Sequence, residues 1–94
     1  MRLKYLSING REDLKNVELV RPVFHWKAEE GCRQFTIELS DREDFSRILF
    51  LRDTDRNYYV YDSVPLKAER EYYLRVRSGL GPWTKIVFST KKEG

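Results

Sequence analysis

Cysteine and histidine are nearly absent from the 94-residue sequence, which has one of each. A single cysteine excludes an intrachain disulfide, and because extracellular animal modules of this size often carry one, the count favours a bacterial or intracellular origin. A structural zinc site needs about four ligands, mostly Cys and His, so none is expected. We predict that His25 is an outward residue of a strand and that Cys32 lies at the edge of a turn.

Long hydrophobic runs and runs of one charge are also missing. No apolar stretch reaches the ~18 residues that a membrane-spanning helix needs, and the start of the sequence lacks the features of a secretory signal. The 18 Lys and Arg residues are interleaved with 15 Asp and Glu residues, which leaves a net charge of +3. Nucleic-acid-binding domains usually gather positive charge in one run or on one face, so nucleic acid is not an expected partner.

Catalytic and metal-binding patterns are missing as well. No serine lies in a GxSxG turn, and no nucleophile–base–orienter triad is indicated. The segment Asp53–Asn57 resembles the start of a calcium loop, but Tyr58 takes the place of the required glycine and Val64 that of the required glutamate. The acidic residues nearest to one another in sequence fall in turn-like stretches, where carboxylates usually cap the backbone in water: Asp41, Glu43, Asp44, Asp53 and Asp55. We therefore expect no enzymatic activity, metal or other cofactor.

Short segments that alternate apolar and polar residues are what the sequence does contain, and they indicate an all-β fold. Such segments lie at Arg2–Ile8, Val23–Ala28, Arg33–Ser40, Arg47–Asp53, Tyr58–Asp62, Glu71–Ser78 and Trp83–Thr90, and Val17–Val20 is a further short one. Together they predict about seven strands in one antiparallel β-sandwich.

Alternation within the strands assigns most of their faces. The predicted inward residues are Phe24, Trp26, Phe35, Ile37, Leu39, Tyr72, Leu74, Val76, Ile86 and Phe88. The predicted outward residues are Thr36, Glu38, Ser40, Tyr73, Arg75 and Arg77. The phase of Tyr58–Asp62 stays open, because both of its faces are apolar or aromatic. Asp41 is predicted to cap one turn of helix, with Asp44 in the capping-box position, and Phe45 to plug the end of the sandwich.

Several of these residues match the pattern of fibronectin type III-like domains. The interval from Leu66 to Tyr72 resembles the spacing of that family's tyrosine corner, and the segments Phe24–Trp26, Phe35–Leu39 and Tyr72–Val76 resemble its strands B, C and F. The resemblance implies a seven-stranded fibronectin type III/immunoglobulin-like sandwich in one domain, 1–94, with its core at about 17–90. It also implies that the Tyr72 hydroxyl bonds to backbone near the loop between the sheets, and that Trp26 fills the core.

A narrower resemblance comes from the order of the motifs. The stretches "RPVFHW", "RQFTIELS", "PLKAEREYYLRVRS" and "GPWT" follow one another as in the N-terminal modules of bacterial α-L-rhamnosidases and related carbohydrate-active enzymes. This implies a non-catalytic accessory or spacer module of a larger glycan-processing protein, monomeric when isolated, with neighbouring domains as its partners. An extracellular or cell-surface setting is favoured and a cytoplasmic one left open. Trp83, in the Pro-Trp turn, is expected to fold its ring over the sandwich edge.

The candidate site is the outward side of the predicted strands C and F, which are neighbours in this family. Thr36 and Glu38 should then lie beside Arg75 and Arg77, with Tyr73 on the same side. One interpretation is a cross-strand ladder of ion pairs, and the other is a surface that contacts a partner domain.

The tyrosines of the segment Tyr58–Asp62 pose a second choice, because at least one of them must face outward. Tyr59 and Tyr61 are candidates either for packing against a neighbouring domain or for binding a glycan. A free-standing adhesion module is a third possibility.

Overall fold

Two antiparallel sheets packed face to face make up the fold in a computed structural model that describes residues 5–8, 14–27, 31 and 33–92. The seven strands are β1 (Tyr5–Ile8), β2 (Val23–Lys27), β3 (Phe35–Ser40), β4 (Ile48–Thr54), β5 (Tyr58–Val60), β6 (Glu71–Ser78) and β7 (Thr84–Ser89). One sheet has the order β1-β2-β5 and the other β4-β3-β6-β7. The predicted all-β sandwich of seven strands is therefore confirmed.

The core forms where the alternating strands of the two sheets face each other. Phe24 and Trp26 of β2 are buried, as predicted, and the Trp26 ring meets Phe35 of β3 edge to face, with 5.5 Å between ring centroids. Phe24 also packs against Phe88 of β7 at 6.2 Å. Burial of large apolar side chains supplies most of the favourable free energy of such a fold. The predicted inward residues form this core, with Ile86 partly buried against it.

In the segment that crosses from β5 to β6, the backbone of one residue, Lys67, is hydrogen-bonded by two side-chain hydroxyl groups. The backbone N–H of Lys67 donates to the Tyr72 hydroxyl oxygen at 2.9 Å, and the Thr90 hydroxyl donates to the Lys67 carbonyl at 2.6 Å. The Thr90 hydroxyl also accepts from the N–H of Arg70 at 2.9 Å. The predicted bond from Tyr72 to backbone is confirmed, and Leu66 is buried beside it.

Two predicted elements are absent from the described part of the chain. The segment Val17–Val20 forms no strand: Val17 makes a single parallel bridge to Thr90, and the backbone leaves the extended region at Asn16 and Arg21, where φ is 56° and 53°. The prediction of a helical turn capped by Asp41 is also wrong. Residues 41–47 form turns instead, and Phe45 has a φ of 56°, which a right-handed helix does not contain.

Two further predictions cannot be compared with the structure. The first strand was predicted from Arg2, and its described part starts at Tyr5. Cys32 lies outside the described residues. Within them, no helix is long and apolar enough to cross a membrane.

Strand β4 forms one edge of the four-stranded sheet. Three of its aliphatic side chains, Ile48, Leu49 and Leu51, are exposed. The guanidinium of Arg52 donates to the Leu51 carbonyl at 2.8 Å and so occupies one backbone acceptor of this strand.

Candidate functional site

The predicted site lies on the outer face of the four-stranded sheet, meaning the side turned away from β1, β2 and β5. Strand register places its side chains in two rows across the sheet. One row is Asp53, Thr36 and Arg77, and the other is Leu51, Glu38, Arg75 and Lys85. The structure therefore brings Thr36 and Glu38 beside the two arginines, as the sequence predicts.

Arg75 is fully engaged within the protein. Its Nε and Nη2 both lie 2.6 Å from Oε1 of Glu38. Its guanidinium also lies 4.2 Å from the ring centroids of both Phe45 and Trp83. These contacts cover Glu38, which is only 9% exposed although its strand position faces outward. The predicted ladder is thus present at this pair, and two aromatic rings enclose it.

Arg77 differs from Arg75 in having no acidic partner within the described ranges. Its guanidinium lies 4.4 Å from the Trp83 ring centroid, so the same ring contacts both arginines. The residue opposite it on β3 is Thr36, whose hydroxyl donates to Asp53 at 2.8 Å. Among the described residues, no carboxylate forms an ion pair with Arg77, and its Nε is buried without a hydrogen-bond partner.

Phe45, Arg75, Arg77 and Trp83 together are called the arginine–aromatic cluster below. Contact between a guanidinium and an aromatic face is attractive, because the ring face carries partial negative charge. Phe45 was predicted to plug the end of the sandwich, which is wrong, since its ring lies on the outer face. Trp83 also lies over the outer face of β6 rather than at the sandwich edge.

The loop of residues 41–47 holds Phe45 in this position. The Ser40 hydroxyl donates to the Arg47 carbonyl at 2.6 Å and accepts from the Arg42 N–H at 2.9 Å. Arg47 also pairs with Asp41, and this hydrogen bond lowers the pKa of that carboxyl. Ser40 faces outward, as predicted, but the loop covers it completely.

The tyrosines that follow β4 do not present a row of exposed rings. Tyr61 is 2% exposed, and its ring centroid lies 4.9 Å from that of Phe50. It donates to the Val64 carbonyl at 2.6 Å, and burial raises the pKa of its phenol. The candidate role of Tyr61 as an outward contact residue is therefore wrong. Tyr59 is partly buried against Phe50, and its hydroxyl donates to Asp62 at 3.1 Å.

A cleft of about 520 Å³ opens at the end of the outer face next to Thr36. It is bordered by Asp53, Asp55, Gln34 and the exposed Leu80, among others. None of the described residues that line it is a histidine, lysine or arginine. Across the described ranges, no three metal-binding side chains come together.

Sequence reasoning missed the part of Phe45 in the cluster. The only available signal was an aromatic residue in an otherwise polar loop, and that signal does not tell which face of the sheet the loop covers. Comparison with known proteins adds no relative, because no protein-family model and no curated protein matches the chain significantly.

Proposed function

We propose that this chain is a fibronectin type III-like, non-catalytic module. Its role is to pack against another domain of a larger bacterial glycan-processing protein, such as an α-L-rhamnosidase-like glycoside hydrolase. The motif order supports the family, and so does the bond between Tyr72 and Lys67, which the resemblance requires. The contacting surface is the outer face, with the arginine–aromatic cluster at its centre.

The arginine–aromatic cluster is the observation that carries the proposal. Tryptophan and arginine are the residues most enriched at the energetic centres of protein interfaces. In this cluster their side chains are held by ring contacts and by Glu38, so little conformational entropy remains to be lost when a partner binds. The outer face also exposes aliphatic side chains, among them Leu51 and Val87.

Hydroxyl-radical footprinting tests the proposal. The labelling rates of Trp83, Tyr73 and Leu51 are compared between the isolated 94-residue chain and the full polypeptide that its gene encodes. We expect all three to be labelled more slowly in the longer protein. Val20, which is exposed and lies outside these strands, serves as the control and should be labelled equally. Equal labelling of the outer face in both proteins, or a gene that encodes no further domain, would contradict the proposal.

Glycan binding through outward tyrosines is the competing hypothesis. It needs at least two accessible rings, whereas Tyr61 is in the core and the Tyr59 hydroxyl is bonded to Asp62. Tyr58 is the most exposed ring of this segment. A glycan array followed by calorimetric titration separates the two ideas. The accessory role predicts no binding by the isolated chain, while binding that Tyr58→Ala abolishes would favour the glycan module.

A further inference from the structure

We infer that Arg77 is the anchor of this interface and that the partner domain presents a carboxylate, from an Asp or Glu side chain, to its guanidinium. The inference rests on the proposed function and deepens it by naming the chemistry of the partner. It also separates the two arginines, because Arg75 is assigned a structural role and Arg77 a binding role.

The first step is the distribution of charge along the two rows of the outer face. In the second row Glu38 neutralises Arg75 through contacts of 2.6 Å. In the first row the position opposite Arg77 is a threonine, and the carboxylate beyond it, Asp53, accepts the threonine hydroxyl. Strands are spaced about 4.8 Å apart, so Asp53 stands roughly two strand spacings from Arg77. The row therefore lacks one anionic group.

The second step is the state of the Arg77 guanidinium. Its Nε is buried and has no acceptor among the described residues, which is unfavourable for a charged donor. Contact with Trp83 at 4.4 Å restricts the plane of the guanidinium. A planar guanidinium that is already oriented matches the two oxygens of a carboxylate through parallel hydrogen bonds. An incoming carboxylate thus supplies the missing charge and accepts hydrogen bonds from the Nη groups, which are not among the buried atoms.

The third step distinguishes a protein carboxylate from a polyanion. Asp53 shares the first row with Arg77, and Glu38 already pairs with Arg75, so this row offers one cation and not the cluster of cations that a polyanion binds. Leu80, three residues after Arg77, is 92% exposed and borders the cleft beside Thr36. One unpaired guanidinium next to an exposed aliphatic side chain fits a protein segment in which Asp or Glu neighbours an apolar residue.

The isolated chain provides a direct test through the Nε–Hε signals of its arginines in ¹⁵N-edited NMR spectra. Sodium acetate is titrated against sodium chloride at equal ionic strength. We expect a saturable shift of the Arg77 signal, while Arg75, already paired with Glu38, and the exposed Arg70 change little. An Arg77 signal that moves no more than that of Arg70 would overturn the inference. A larger response to inorganic phosphate than to acetate would overturn the assignment of a carboxylate.

Footprinting of the full polypeptide provides the second measurement. In Arg77→Gln, Trp83 should be labelled as fast as in the isolated chain, whereas the matched surface variant Arg70→Gln should keep the wild-type protection. The unfolding midpoint of isolated Arg77→Gln checks that the domain still folds. If Arg77→Gln leaves Trp83 protected, the inference is wrong and the accessory role stands. If wild-type Trp83 is equally labelled in both proteins, the accessory role itself fails.

Discussion

The hydroxyl oxygen of Tyr72 accepts a hydrogen bond from the backbone N–H of Lys67, five residues earlier, at 2.9 Å. The bond ties the start of β6 to the segment that crosses from one sheet to the other. Since Tyr72 is buried, no water replaces the hydroxyl easily once it is removed.

Tyr72→Phe should therefore lower the free energy of unfolding by about 1 kcal/mol, because the Lys67 N–H loses its acceptor. Urea denaturation followed by fluorescence measures this as a lower midpoint at an unchanged m-value. Tyr73→Phe is the matched control, as Tyr73 lies on the opposite side of the same strand and its hydroxyl has no bond to a described residue. Equal midpoints for wild type and Tyr72→Phe would refute the structural role.

Glu38→Gln should destabilise the domain by about 2 kcal/mol, since it leaves the enclosed Arg75 without a counter-charge. The two side chains are only 12% and 25% exposed, so solvent compensates poorly for the lost pair. Chemical denaturation gives the magnitude. The exposed pair of Lys91 and Glu18 supplies the comparison, and Glu18→Gln should cost less than about 1 kcal/mol. Similar costs for both variants would show that the aromatic rings do not shield Glu38.

Alkaline pH should destabilise the fold partly through Tyr61. Burial raises the pKa of its phenol above the ordinary value of 10.0, so the unfolded chain loses this proton first as the pH rises. The stability that the protonated Tyr61 phenol contributes is fully present below the pKa of this group in the unfolded chain. It is lost as the pH rises through the higher pKa of the folded state. Urea midpoints measured from pH 8 to about pH 11 should fall less steeply for Tyr61→Phe than for wild type. Parallel curves would contradict the effect.

Two substitutions at positions with positive φ should change the stability of the domain in opposite directions. Glu69 is exposed and has a φ of 54°, a conformation that costs an L-residue about 1 kcal/mol or more, so Glu69→Gly should stabilise the domain by up to about 1 kcal/mol. Gly79 also has a φ of 54°, and a Cβ added there meets no atom within 4 Å. Gly79→Ala should therefore destabilise by about 1 kcal/mol through backbone strain alone. Thermal unfolding of both variants measures the pair, and a shift in the same direction would refute this account.

The core strands were predictable from the sequence because their signal is local. In β2, β3 and β6, residues two apart point to the same face of the sheet. The alternating pattern therefore identifies positions such as Phe24, Trp26 and Leu74 as core residues. The pairing of Glu38 with Arg75 follows from the sequence if β3 and β6 are neighbours. Each of these inferences needs only the period of a strand and one assumption about strand order.

The features that the sequence did not reveal have a common physical cause. The side chain concerned is either covered by residues distant from it in sequence or lies beyond the end of a strand. Ser40 occupies an outward position, but the loop that contains Phe45 folds over it. Tyr61 follows the last residue of β5, so strand alternation does not apply to it. Placing Phe45 required knowing that its backbone adopts a positive φ, which no apolar pattern indicates. The sequence therefore did not predict the arginine–aromatic cluster, because the cluster includes Phe45.

Strand β4 has a consequence for handling the isolated chain. It is a seven-residue edge strand, contains neither proline nor glycine, and presents Ile48, Leu49 and Leu51 to solvent. Such an edge is a template for pairing with a strand of another molecule, and Arg52, through its bond to the Leu51 carbonyl, blocks part of it. Concentrated samples should therefore self-associate along β4, and Leu49→Lys should raise the solubility limit without altering the fold.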